Sequence, residues 1–371
     1  MTRLYVAMDD AVAVVGRQNG RWQFVERLHD VHPQCLAVDP FQPNRLYCGT
    51  FDRGLWCSDN AGETWSVAPR FIVGVGKGSE GIPQERVMSV AVGQAERVGT
   101  YGVVWAGTEP SALYRSEDGG NTWQELRALQ DIPSKPNWKF PPRPNSHHVR
   151  WISPDPNDSE RLFVAIEQGG IMRTLDKGKT WDDHNPAAQK DGHTLAMHKL
   201  APGRLYEASG GDSVKFRMFV RLAWPPLEPN VIMTEGGFAE TFDGGNTWQT
   251  VIDGLQHHYL WGVAVDPADP DTIVTSASIG PLQAHRRGAV SFIYRRTGSK
   301  PWQTVSDGLP QPRGMKVTVL ASNELEPGVF YALNNEGIFR STDAGLTWRA
   351  LDLNWPQRFR KQHPQGLAAV E

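Results

Sequence analysis

Short runs of apolar residues, alternating with polar ones, recur along the chain between clusters of Gly, Pro, Asn and Asp. This is the pattern of half-buried strands joined by tight turns. The segment 33–67 shows it most plainly, with Cys35–Val38, Arg45–Cys48, Gly54–Cys57 and Thr64–Val67 reading as four successive strands. The same succession returns at Val90–Val92, Gly102–Trp105 and Ala112–Arg115, and again at Arg161–Val164 and Gly170–Arg173. Only the first copy lacks its opening strand, since Arg3–Ala7 matches the second strand of the others. The missing piece matches the far end of the chain, where His363, Pro364, Gln365, Gly366, Leu367, Ala368, Ala369 and Val370 echo His32 to Val38. The pattern therefore predicts that the tail supplies the first inner strand and removes two free sheet edges.

Each copy ends on a shared octapeptide. Ser341 to Trp348 has a Ser or Thr, then Asp343, Gly345 and a closing Thr347-Trp348. Ser58–Trp65, Ser116–Trp123, Thr174–Trp181 and Thr241–Trp248 repeat it, with Asp59, Asp118, Asp176 and Asp243 taken as the acidic member. Two worn copies end at Trp22 and Trp302. Asp can bond the backbone ahead of it and hold a turn, Gly supplies a conformation other residues resist, and the Trp packs between sheets. The seven Trp positions lie 43, 58, 58, 67, 54 and 46 residues apart, the scale of a four-stranded blade with its loops.

On these octapeptides the chain resembles the Asp-box, or BNR, β-propellers over its whole length. The resemblance implies an all-β fold: one domain over 1–371, a seven-bladed propeller of four-stranded antiparallel blades. The blades would end near Trp22, Trp65, Trp123, Trp181, Trp248, Trp302 and Trp348, and 365–371 would close the first. In that family the motif sits on an outer hairpin away from the binding face, so all seven turns are expected to be structural.

Composition narrows the partners. Lys and Arg number 38 against 41 Asp and Glu, which predicts neither a nucleic-acid nor an anionic-membrane footprint. No apolar run reaches spanning length. Met1–Val6 passes straight into a strand with no signal peptide, and Cys35, Cys48 and Cys57 are odd in number without metal-type spacing. Together these predict buried, inert thiols and a cytoplasmic protein.

Chemistry concentrates at the residues opening the inner strands. Alignment of the copies puts His32, Arg86, His148, Asp191, His258, Lys316 and His363 at equivalent places, and His147-His148 and His257-His258 each precede a Trp by three residues. In a propeller such places ring the central channel. His32, His148, His258 and His363 are thus candidate ligands of a divalent transition metal, iron, copper or zinc. Glu109 and Glu167 follow the second strands of adjacent blades and are the candidate acid or base. Arg86, Lys316, Asp191 and Trp138 are candidate substrate contacts, the two cations favouring an anion. Long segments at 70–85, 127–146 and 210–234 are expected to wall the site, since loops of that length are usually functional or disordered.

The function expected from these residues is a metal-dependent enzyme acting on a small, anionic molecule. The alternative is a non-catalytic binding or assembly propeller, with a protein partner. Within the resemblance, sialidases are disfavoured because they carry an arginine triad and six blades. Xyloglucanases are disfavoured because they use a cleft between two propellers. No phosphate loop, nucleophile elbow or zinc-protease helix occurs.

Overall fold

The fold is described from a computed structural model, over residues 2–68, 81–143, 145–211, 236–286 and 288–371. The chain is a seven-bladed β-propeller of antiparallel sheets. Its contacts divide it into two compact units, 1–184 with 365–371, and 185–364.

In the first unit the sequence pattern becomes four blades. The second blade runs Pro33–Val38, Leu46–Thr50, Leu55–Ser58 and Ser66–Val67, paired in that order. The third runs Arg86–Val98, Tyr101–Glu109, Leu113–Ser116 and Gln124–Glu125. The fourth has three strands, Val149–Pro154, Leu162–Ile166 and Gly170–Thr174, and an isolated bridge from Arg173 to Asp182 stands in the outer place. The first blade takes Pro364–Val370 beside Arg3–Met8, as the echo of His32–Val38 predicts. The second unit repeats the arrangement with inner strands at Gly192–Met197, Tyr259–Asp266 and Val319–Ser322.

The octapeptide is a turn closed by its own side chains. In the third blade Ser116 Oγ accepts from Gly120 N at 2.8 Å and donates to Asp118 Oδ1. Asp118 in turn accepts from Thr122 N at 2.8 Å and Thr122 Oγ1 at 2.7 Å. The copies at Asp176, Asp243 and Asp343 have the same bonds. The second blade corrects the sequence reading. Asn60, not Asp59, holds the turn, accepting from Thr64 N at 2.9 Å, while Asp59 pairs with Arg45.

These turns also join blades. Gly120 has φ +89°, and a Cβ there would meet Tyr47 of the preceding blade at 3.1 Å. Tyr47 is fully buried, and with Cys57, Val104 and Trp123 it fills the core between the second and third blades. Burying such a ring contributes about 1.5–3 kcal/mol. Cys48 and Cys57 lie in these cores, and burial pushes the Cys57 thiol up to about 12. Among the described residues, no helix is long and apolar enough to cross a membrane.

Candidate functional site

Backbone register places the residues opening the inner strands. Phe51 N donates to His32 O, Arg86 pairs with Glu109, and Glu167 N donates to His148 O. His32, Arg86 and His148 are therefore equivalent, as are Phe51, Glu109 and Glu167 opposite them. In the second unit Gly210 N donates to Asp191 O, and Lys316 N to Asn335 Oδ1. The sixth blade departs from the expected equivalence: its pairing sets Tyr259 opposite Ser278, so the extra residue leaves His258 one place outside the position that Arg86 and His148 hold.

The first unit brings four of the predicted residues into one network around a buried carboxylate. The Glu109 side chain is 0% exposed, and Arg143 grips it with two bonds, Nε to Oε1 at 2.9 Å and Nη2 to Oε2 at 2.5 Å. Arg86 Nη1 adds a third at 2.7 Å. Burial alone would raise the Glu109 carboxyl, but the bonds and charge of Arg143, with His148 and Ser146, hold it below its ordinary value. Beside it, His148 is 2% exposed; its Nδ1 lies 3.6 Å from Glu109 Oε2 and its Nε2 2.7 Å from Glu167 Oε2. One imidazole thus separates the two carboxylates, and its Nε2 is within hydrogen-bond distance of Glu167.

Aromatic rings frame this network. The guanidiniums of Arg86 and Arg143 lie 4.6 and 5.2 Å from the Phe51 ring centroid, and Arg143 also lies 4.7 Å from Phe140. Phe140 meets His148 edge-on at 5.0 Å. Arg143, Phe140 and Phe51 were not among the predicted residues. Phe140 and Arg143 lie in the long segment 127–146, and nothing in sequence tells which cation of that segment turns inward.

The other predicted residues have different surroundings. His32 is exposed and bonds Asp52 through Nδ1 at 2.9 Å. Trp138 is 6% exposed; its Nε1 donates to Ser134 Oγ, and its ring packs with Leu129, Ile132 and Val149. The segment 127–146 is thus folded onto the fourth blade by its aromatics, and Trp138 also edges an open depression of about 600 Å³ with Lys135 and His147. The segment 212–235, with Phe216, Phe219 and Trp224, and residues 69–80 lie outside the described residues, whereas Ile82 packs into the core between the second and third blades.

In the second unit His258 Nε2 bonds Leu255 O at 3.2 Å, and Lys316 Nζ donates to Lys361 O at 2.8 Å. Asp191 is buried with its Oδ2 3.5 Å from His193 Nε2. His363 ends a chain of imidazoles. A carbonyl only accepts, so His363 Nδ1 carries the hydrogen toward Pro364 O, and His363 Nε2 accepts from His285 Nδ1 at 2.6 Å. His285 Nε2 then accepts from Tyr259 OH at 2.8 Å. None of His32, His148, His258 and His363 belongs to a set of three or more His, Cys, Asp or Glu donor atoms within 4.8 Å of one another among the described residues.

No protein-family model matches the sequence. A Paenibacillus xyloglucanase is 26% identical over 275 residues, which are 68% of this chain and 24% of that protein. An oligoxyloglucan-reducing end-specific xyloglucanase of Emericella nidulans is 25% identical over 317 residues, 76% of this chain and 35% of its own. The chain therefore spans only about a quarter to a third of the length of these curated relatives. Among solved structures, the Niastella koreensis GH74 enzyme has a TM-score of 0.65 at 16% identity, covering 94% of this chain and 52% of the other. YCF48 bound to D1 peptide has a TM-score of 0.53 at 16% identity, covering 89% and 82%.

These likenesses correct the expected function. A metal-dependent enzyme for a small anionic molecule does not agree with relatives that are named for cleaving a polysaccharide. The similarity runs through most of this chain but through only 24% and 35% of those proteins.

Proposed function

We propose that this propeller is a glycoside hydrolase module acting on a polysaccharide. What carries the reading is the similarity to xyloglucanases over 68% and 76% of the chain. Glycosidic cleavage needs a carboxyl that gives a proton to the leaving oxygen and, in most families, a second carboxylate about 5–9.5 Å away. Glu167 suits the first task. Its side chain is 12% exposed, and its Oε2 lies 2.7 Å from His148 Nε2.

Glu109 does not suit the second task. Two guanidiniums occupy its oxygens, and the His148 ring fills the space between it and Glu167. Its part is to fix Arg86, Arg143 and the imidazole. In the proposed step the proton of Glu167 passes to the glycosidic oxygen as the bond to the anomeric carbon breaks. Water adds to that carbon, and the proton it releases returns through solvent and the His148 imidazole to Glu167.

The test is release of reducing ends from xyloglucan, related β-glucans and a glucuronic-acid-substituted xylan. Glu167→Gln should melt as the parent does and still bind, with release at least about 100-fold slower, the scale of a lost general acid. A parent protein that releases none would overturn the hydrolytic reading. The second reading, a propeller that binds without cleaving, is favoured by one observation. The chain covers 82% of the YCF48 neighbour but 24–35% of the xyloglucanases. It predicts retardation in a glycan-loaded gel with no new reducing ends.

A further inference from the structure

We propose that the glycan taken by this site carries uronic-acid residues, and that Arg86 receives their carboxylate at the mouth of the Glu109 network. The inference rests on the polysaccharide reading above and names its substrate class. Arg86 and Arg143 share one carboxylate, so the pair keeps a surplus of one positive charge. Neither is sunk in the protein, for their side chains are 42% and 34% exposed while Glu109 is 0%. Arg86 spends only Nη1 on Glu109. Its Nε–Nη2 edge makes no hydrogen bond among the described residues. That edge is the planar fork that matches a carboxylate with two parallel bonds.

The surroundings select among anions. A surplus of one charge suits a single carboxylate, whereas Glu109 and Glu167 oppose a dense polyanion such as a sulfated chain. The Phe51 ring lies against both guanidiniums, a cation–π contact that favours their place before a ligand arrives. Phe140, half-buried beside Arg143, adds apolar surface next to the fork. A neutral glucan would use the aromatic faces and leave the charge unmatched.

The test compares a glucuronic-acid-substituted xylan with the same polymer after its carboxyls are reduced to alcohols, by affinity electrophoresis of the full chain. The native polymer should bind at least about 10-fold tighter, and the margin should shrink as salt rises. Arg86→Gln should bring the ratio near one, and Arg86→Lys, which keeps the charge without the fork, should restore part of it. Arg143 still grips Glu109 in both variants, and thermal melting reports whether they fold. Equal binding of the two polymers, or a ratio unchanged in Arg86→Gln, would overturn the inference while leaving the polysaccharide reading in place. Binding to neither polymer nor to xyloglucan, with a carboxylate-ended peptide bound instead, would overturn both.

Discussion

Arg143 grips Glu109 through two parallel hydrogen bonds, although the two residues sit 34 positions apart and only the carboxylate is buried. The pair ties the segment 127–146 to the end of the third blade, and it does so through a charge that burial would otherwise penalise. Arg143→Met should therefore cost about 2–3 kcal/mol at neutral pH, less than a fully buried pair because the guanidinium is part-exposed. The pH dependence follows from the lowered folded value of Glu109. Its stabilisation is present above the ordinary carboxylate range and is lost as pH falls through the folded value. Denaturant melts should show the gap between parent and variant closing toward pH 3; a gap constant with pH would place its origin in packing alone.

Asn60 makes a different kind of claim, about a turn. It donates Nδ2 to Thr64 Oγ1 at 2.9 Å, where each Asp copy instead accepts from the Thr hydroxyl. Asn60→Ala should cost about 1 kcal/mol through lost side-chain-to-backbone bonds. Asn60→Asp should lose nothing measurable, because the hydroxyl can rotate to donate. Urea denaturation of both variants decides it, and a costly Asn60→Asp would show that the neighbouring Asp59 charge dominates the turn.

The blades were legible because turn chemistry is local. Ser or Thr, Asp or Asn, and Gly act within four residues of one another, so the octapeptide carries its own structure. Equivalence of Arg86, His148 and Lys316 was legible for the same reason, since a fixed period transfers one register to the next copy. Asp59 was misread because two adjacent acceptors compete and only the register of Ser58 separates them. What faced the opening residues was less legible. Arg143 reaches Glu109 by the folding of an irregular segment, and Trp138 turns into a core cluster by burial, which no spacing encodes. The expected function failed at another level: the relatives are named for a polysaccharide, and the place of a histidine in a repeat does not encode a substrate.

The C-terminal strand offers a direct test of closure. Pro364–Val370 lies beside Arg3–Met8, and a Cβ on Gly366 would stand 3.6 Å from that of Ala7. Leu4, Tyr5, Val6 and Ala7 are all fully buried next to it. Deleting 364–371 should leave Arg3–Met8 as an unpaired edge with its apolar face uncovered. The expected outcome is aggregation on expression or a loss beyond about 4 kcal/mol, which is large for any local change. A truncated protein with the parent's melting temperature would show that the strand is dispensable.

Glu207 carries the last prediction. It is fully buried on the second strand of the fifth blade, opposite Leu195 and Ala239. Its Oε2 accepts from Gln189 N at 3.2 Å, and its Oε1 has no hydrogen-bond partner among the described residues. Burial pushes the carboxyl well above its ordinary value of 4.5; the Gln189 N–H pulls against this and the charge of Asp191 adds to it. The folded protein therefore holds Glu207 neutral where the unfolded chain would ionise it. A raised carboxyl favours folding least at high pH, and the stability present below about 4.5 drains away as pH rises toward the folded value, at about 1.4 kcal/mol per unit. Glu207→Gln keeps the shape and the bond to Gln189 but has no proton to lose. It should match the parent at pH 4 and become progressively more stable above pH 5 in thermal or denaturant melts. Parallel stability curves across that range would mean that Glu207 keeps its charge through a partner outside the described residues.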